Sequence, residues 1–302
     1  KKLQLSVIKG ETLADSMRDY NKIFPSFMIN MVMAGETSGN LDTALIRLAT
    51  YFEKDAATKS QIKKAMIYPI SILVVMVIVI FIMMVFVIPN FADMFAGIGT
   101  DLPVMTKMVM DMSNFFVKWW YLIIGLMILA IVGLRFFAKT SLGKDIFGGI
   151  ALKLPIFGDL IVKSAASRFS GSIATLVSTG ISMIEALDIT AKTIDNSIIK
   201  KAIYSVKEDV SKGSVLSEPL ARVEVFPPMV SEMIAIGEET GDIDGMLNNL
   251  ASYYDEEVKV ATETLLAILQ PLIIIIMGAI VGFLIAAVMS PIIKMYQVID
   301  QV

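Results

Sequence analysis

The chain has 302 residues, enough for two ordinary domains, with 56% hydrophobic residues and a mean hydropathy of +0.72, a balance normal for a protein with several membrane helices. A formal net charge of −3 provides no basic field for a nucleic-acid partner. Cysteine and histidine are both absent, which excludes disulfides, thiolate metal sites, the common zinc ligands and Ser-His or Cys-His nucleophiles.

Residues 1–63 read as a partial helical bundle. Gly10 breaks the first helix, Thr12 caps the next, and Pro25 opens a third that runs to about Ala34. The turn Gly35-Glu36-Thr37-Ser38-Gly39-Asn40 follows. From Asn40 as N-cap, Leu41, Ala44, Leu45, Leu48, Tyr51 and Phe52 share one helix face, with Asp42, Arg47, Glu53 and Lys54 on the other. Residues 64–88 are the first expected span. Met66 to Ile88 holds 23 uncharged residues, roughly 34 Å of helix against about 30 Å of hydrocarbon. Pro69 is expected to bend it near the surface by releasing the Ala65 carbonyl.

Residues 89–118 form an outer loop with an amphipathic helix from Thr106. Residues 119–137 are a second span, with Trp119, Trp120 and Tyr121 at one end and Arg135 at the other. Gly143, Gly148, Gly149, Pro155 and Gly158 mark residues 138–159 as a linker. A second helical bundle occupies 160–263, with helices expected at Leu160–Ser178, Met183–Thr193, Ser197–Lys212, Ser217–Arg222, Pro228–Gly237 and Ile243–Glu263. A third span covers 264–290, and 291–302 is a tail on the far side.

The chain repeats itself. Gly237-Glu238-Glu239-Thr240-Gly241-Asp242-Ile243-Asp244 matches Gly35 to Asp42 at an offset of 202. The offset holds without a gap from Phe24 to Pro89, and it carries Pro25, Pro69 and Pro89 onto Pro227, Pro271 and Pro291. One unit is used twice, each copy ending in a very apolar helix. Copy two starts near Ser164, about 40 residues before the part that matches Lys1. The chain is therefore expected to be an N-terminally truncated piece of a longer protein. Two like units must enter the membrane the same way, so a single crossing between them is required, and 119–137 supplies it. Lys54, Lys59, Lys63 and Lys64 before the first span, with Arg135, Lys139, Lys144 and Lys153 at the far end of the second, place both bundles on the cytoplasmic side.

Three sets of residues invite a functional reading. Glu36 with Asp42, and Glu238 with Asp242 and Asp244, could form a docking edge or an oxygen-ligand metal site. The competing structural reading is a tight turn in which Gly35, Gly39, Gly237 and Gly241 admit unusual backbone and the carboxylates favour the start of the next helix. The run Asp255-Glu256-Glu257 reads as a solvated face. Gly278, Gly282, Ala286 and Ser290 recur every fourth residue and suit close helix packing in lipid, with Gln270 as a polar group nearby. No charge lies near the middle of the spans and no G-x-x-x-x-G-K-[ST] occurs. That disfavours an ion-coupled transporter built from parallel repeats and leaves ATP hydrolysis to another protein. A membrane-anchored enzyme would have only carboxylate or lysine chemistry.

The chain resembles the PilC/GspF family, the polytopic inner-membrane platform proteins of type IV pilus assembly and type II secretion. The resemblance rests on Ala34-Gly35-Glu36-Thr37-Ser38-Gly39, Gln61-Ile62 to Tyr68-Pro69, Val87-Ile88-Pro89-Asn90-Phe91, Leu102-Pro103, Leu154-Pro155-Ile156-Phe157-Gly158 and Gly237-Glu238-Glu239-Thr240-Gly241. Gln270 departs from it, where an acidic residue before Pro271 is expected. The resemblance implies an all-α membrane protein with two homologous cytoplasmic antiparallel helical bundles, three transmembrane helices, no catalysis and no cofactor. It implies a homo-oligomer in the bacterial inner membrane, working with a cytoplasmic assembly ATPase, pilin or pseudopilin subunits and other inner-membrane assembly proteins. Arg47, Glu53, Lys207 and Glu208 are the exposed charges expected to meet the ATPase.

Overall fold

In the computed structural model, which describes residues 2–87, 89–90 and 104–299, no strand occurs among the described residues. The helices are α1 (Lys2–Ile8), α2 (Leu13–Arg18), α3 (Ser26–Ser38), α4 (Leu41–Ile82), α5 (Val104–Lys139), α6 (Ser141–Lys153), α7 (Phe157–Val177), α8 (Met183–Thr193), α9 (Ser197–Ser211), α10 (Ser217–Arg222), α11 (Pro228–Thr240) and α12 (Ile243–Ile299). A π-helical turn, Met83–Val87, ends α4. Side-chain caps set many of the starts. Thr12 accepts from Asp15 N–H, Thr140 from Gly143, Ser182 from Glu185, and Asn196 from both Ile198 and Ile199.

Two compact units result. The first combines residues 1–63 with 140–265, and the second combines 64–139 with 266–302. Separate bundles would bury separate cores. Instead Phe27, Met31, Val32 and Leu48 of copy one join Phe169, Ile173, Leu187, Ile203, Ile234 and Leu247 in one buried cluster. The reason lies in α7, whose two faces are both engaged. Phe169 stacks on Phe226 of copy two at 5.0 Å between ring centres. Ser172 shares a 3.2 Å hydrogen bond with the Tyr51 hydroxyl of copy one.

The linker expected at 138–159 is instead largely helix. Thr140 caps α6, and Gly148 serves packing: a Cβ there would lie 2.8 Å from Ser197 Oγ. Gly158 is forced by the backbone, since a Cβ there would sit 2.2 Å from the Leu152 carbonyl oxygen. In the repeat, α3 continues through Gly35 and Glu36 to Ser38, so the glutamate is helical and not part of the turn. α4 runs on through Pro69 as one helix, and α12 continues past Pro291 to Ile299, where a tail was expected. Among the described residues, α4 with its π-helical turn and α12 are long and apolar enough to cross a membrane. The stretch 119–137 lies within α5. The loop residues 91–103, with Phe91, Phe95 and Leu102-Pro103, fall outside the described residues, as do 300–302 of the tail.

Candidate functional site

The repeated Gly-Glu turns are the most closely determined feature. Each ends a helix on a left-handed glycine, Gly39 at φ +72° and Gly241 at φ +77°, a conformation that a side chain makes costly. In copy one, Gly39 N–H bonds the Glu36 carbonyl and Asn40 N–H the Gly35 carbonyl at 2.9 Å, closing the helix end. The next helix then passes so close that a Cβ on Gly35 would be 2.7 Å from Ala44 Cβ, and one on Gly237 would be 3.0 Å from Ile243 Cα.

The glutamates do not serve the following helix, as their position in sequence suggests. They reach back to an earlier one. The Glu36 carboxylate accepts from the N–H groups of Leu13 at 2.6 Å and Ala14 at 2.9 Å, the start of α2. Glu238 accepts from the N–H groups of Leu216 (2.5 Å) and Ser217 (3.2 Å) and from the Ser217 hydroxyl (2.5 Å), at the start of α10. A helix start exposes unpaired donors and the positive end of the dipole, so a half-buried carboxylate there is doubly favoured. The targets are 203 residues apart, not 202, because copy one has one extra residue between α2 and α3. Gly10 (φ +94°) and Gly213 (φ +100°) show the same shift, and their common Lys-Gly pair is the sequence signal that marks it.

These bonds commit Glu36 and Glu238 to holding the fold. Asp242 accepts from Gly245 N–H at 3.0 Å as the cap of α12. Asp42 and Asp244 lie in the first turns of α4 and α12. Among the described residues, no three acidic groups come close enough to hold a metal ion.

A polar cleft of about 200 Å³ lies within the first unit, between α4, α7 and α12. Arg168 on α7 pairs with Asp55 on α4 at 3.5 Å and with Asp195 at 2.9 Å. Lys163 on α7 pairs with Glu257 on α12 at 2.9 Å and with Asp159 at 2.9 Å. Asp55 and Glu257 are the same position of the repeat, 202 apart. One helix is thus held by equivalent acids of both copies. Hydrogen bonds that Lys163 donates to Glu257 and then to Asp159 raise its pKa. Burial pushes the Tyr51 hydroxyl up, and pushes Tyr254 up to about 12. Both phenols therefore stay protonated at neutral pH.

The acidic run Asp255-Glu256-Glu257 is not simply a solvated face. Asp255 accepts a 2.5 Å bond from Ser167, Glu257 meets Lys163, and Glu256 pairs along its own helix with Lys259. Of the charges expected to be free for a partner, Glu53 and Glu208 are exposed. Arg47 is half-buried in the cleft and donates to Ser178, and Lys207 is half-buried against Asp188. In the second unit, α12 turns Met277, Ile280, Val281 and Leu284 toward an apolar groove of about 330 Å³ shared with α4. Gly278 and Gly282 lie off that contact, with open space where a Cβ would be, and Ala286 is exposed.

The family model for type II secretion system (T2SS), protein F matches residues 1–89 and 169–291, the segments that carry the two Gly-Glu turns. The chain belongs to that family. It is 37% identical over 298 residues to the type IV pilus assembly protein PilC of Pseudomonas aeruginosa, covering 98% of this chain and 80% of that protein. It is 36% identical over 295 residues to PilC of Thermus thermophilus, 97% of this chain and 72% of the relative. Type II secretion system protein F of Vibrio cholerae is 30% identical over 294 residues, again 97% and 72%. As a T2SS protein F relative, the chain is helical, and among the described residues it has two helices long and apolar enough to cross a membrane.

Proposed function

We propose that this protein is a non-enzymatic platform in the bacterial inner membrane, coupling a cytoplasmic assembly ATPase to the assembly of pilin or pseudopilin subunits. The helical unit that the two copies of the repeat build together faces the cytoplasm, and helices at 64–88, 119–137 and 264–290 cross the membrane. The platform works as a homo-oligomer beside other inner-membrane assembly proteins and uses no cofactor.

The observation that carries this reading is the continuity of α4 and α12. Each runs without a break from a polar, ion-paired stretch that holds α7 into an apolar stretch long enough to span lipid. A continuous helix is stiff along its axis. A displacement imposed on the polar stretch is therefore delivered to the membrane stretch, with no reaction needed inside the protein. Glu53 and Glu208 are the ATPase-facing charges. Arg47 and Lys207 act behind them, by keeping α4 and α9 in place.

Reversal of Glu53 and Glu208 to lysine tests the assignment. Co-purification with the assembly ATPase and surface piliation or secretion should both fall at least several-fold, while the melting temperature holds. Unchanged values in both assays would remove these residues from the account. Because the chain has no cysteine, single cysteines in residues 1–63 and 160–263 test the topology directly. Neither set should react with a membrane-impermeant thiol reagent applied to intact cells.

A further inference from the structure

α6 divides into two faces with different partners. One face is docked on α9. The Lys144 carbonyl accepts from Ser197 at 2.7 Å, the Gly148 carbonyl accepts from Asn196 at 3.1 Å, and Asp145 pairs with Lys201. On the other arc, Leu142, Ile146, Ile150 and Leu154 follow at intervals of four residues. They are 71%, 49%, 52% and 47% exposed. A helix turn advances 3.6 residues, so these four side chains form one slightly slanted apolar stripe. A polar, solvated surface helix would not carry such a stripe, and its opposite side is already docked.

We propose that this stripe is a lipid contact: α6 lies in the headgroup layer of the membrane, with Leu142, Ile146, Ile150 and Leu154 toward the acyl chains. Three observations select lipid over a protein partner. Only Thr140 separates α6 from α5, the helix that contains the apolar stretch 119–137, so the chain reaches α6 on leaving that stretch. The flanks are basic, with Lys139 before the helix and Lys144 and Lys153 within it, which matches anionic headgroups. The one acid of α6, Asp145, is neutralised by Lys201 at 2.5 Å, so α6 itself sets no unpaired negative charge against the lipid surface. The inference rests on the membrane placement proposed above.

The test uses the full chain in lipid nanodiscs, with and without phosphatidylglycerol. Leu142→Cys, Ile146→Cys, Ile150→Cys and Lys144→Cys each give a unique site for a nitroxide, because the protein has no cysteine of its own. Val75→Cys, in the apolar stretch of α4, is the reference. Collisions with oxygen, which concentrates in lipid, are compared with those of a water-soluble nickel chelate. At Leu142, Ile146 and Ile150 oxygen should dominate several-fold, Lys144 should show the reverse, and phosphatidylglycerol should strengthen the contrast. Dominance of nickel at Ile146 and Ile150 would mean the stripe faces water, and protection from both reagents would mean that protein covers it; either result overturns the proposal. If Val75 is also open to nickel, the membrane placement itself fails. If Val75 is in lipid and α6 is not, only this inference fails.

Discussion

Leu45 and Leu247 occupy the same place in the two copies, yet Leu45 is 44% exposed and Leu247 is fully buried. The contrast extends to their neighbours. Leu13, Met17, Val32, Leu45, Leu48 and Phe52 of copy one line an open apolar groove of about 370 Å³. Met17, Val32 and Leu48 are themselves buried, so the contrast lies at Leu13, Leu45 and Phe52, whose counterparts Leu216, Leu247 and Tyr254 are all buried. The local pattern is the same in both. What differs is the covering: α7 lies over copy two, with Gly171 close against Ala251 and Ser167 bonded to Asp255, while copy one meets α7 along another face. An amphipathic motif specifies that a face must be covered, and the rest of the chain decides how completely.

The largest effect should come from that difference in burial. Leu247→Ala should cost about 2–5 kcal/mol in chemical denaturation, the usual range for emptying a closed core site. Leu45→Ala should cost under about 1 kcal/mol, because the site is already open to solvent. Equal losses would break the comparison and show that the groove of copy one is covered.

The glutamates give the next effect. Glu238→Ala strips an acceptor from two N–H groups and a hydroxyl, and Glu36→Ala from two N–H groups. Charged hydrogen bonds of this kind contribute about 1.5–3 kcal/mol each, and the freed donors are only partly rehydrated. Glu238→Ala should lower the melting temperature more than Glu36→Ala, and glutamine should recover part of each loss. A reversed order would show that the copies do not use the motif alike.

The glycines sharpen the comparison by what they share. Gly35→Ala should cost about 1–3 kcal/mol through its collision with Ala44. Ala44→Gly in the same chain should return part of that loss, measured as a double-mutant cycle. Gly39→Ala and Gly241→Ala should each cost about 1 kcal/mol, equally in the two copies, because both sit at the same left-handed φ.

The smallest effect concerns acid, and it belongs to copy two alone. Hydrogen bonds from Lys192 and then Lys207 hold the Asp188 pKa below its ordinary value of 3.8. A depressed carboxylate contributes stability above its unfolded pKa and loses it as pH falls through the folded one. The contribution is small, because the group is partly exposed and screened. The melting temperature of Asp188→Asn should therefore fall less steeply than that of the parent below about pH 4. An unchanged acid limb would show that this ion pair adds nothing.

Local chemistry was legible where one residue type fits one geometry. The gapless offset located both Gly-Glu turns, and the start residues Met183, Ser197, Ser217 and Pro228 follow from caps and turns that the chain prints directly. The α6 helix was hidden because Gly143, Gly148 and Gly149 imitate a linker; at Gly148 the lack of a side chain permits close approach to α9, which no local pattern reports. The destination of the glutamates was hidden for a related reason. Glu36 lies next to one helix start in sequence and against another in space.

The amino-acid sequence by itself determined that this protein is helical, duplicated and apolar enough for a membrane, because periodicity, repeat and hydropathy are properties of neighbouring residues. Only the tertiary structure decided that Glu36 and Glu238 reach back 21 to 23 residues to close a helix start, and that α7 is gripped by Asp55 and Glu257 together. Those partners are chosen by which surfaces pack, and packing joins residues that the chain keeps far apart.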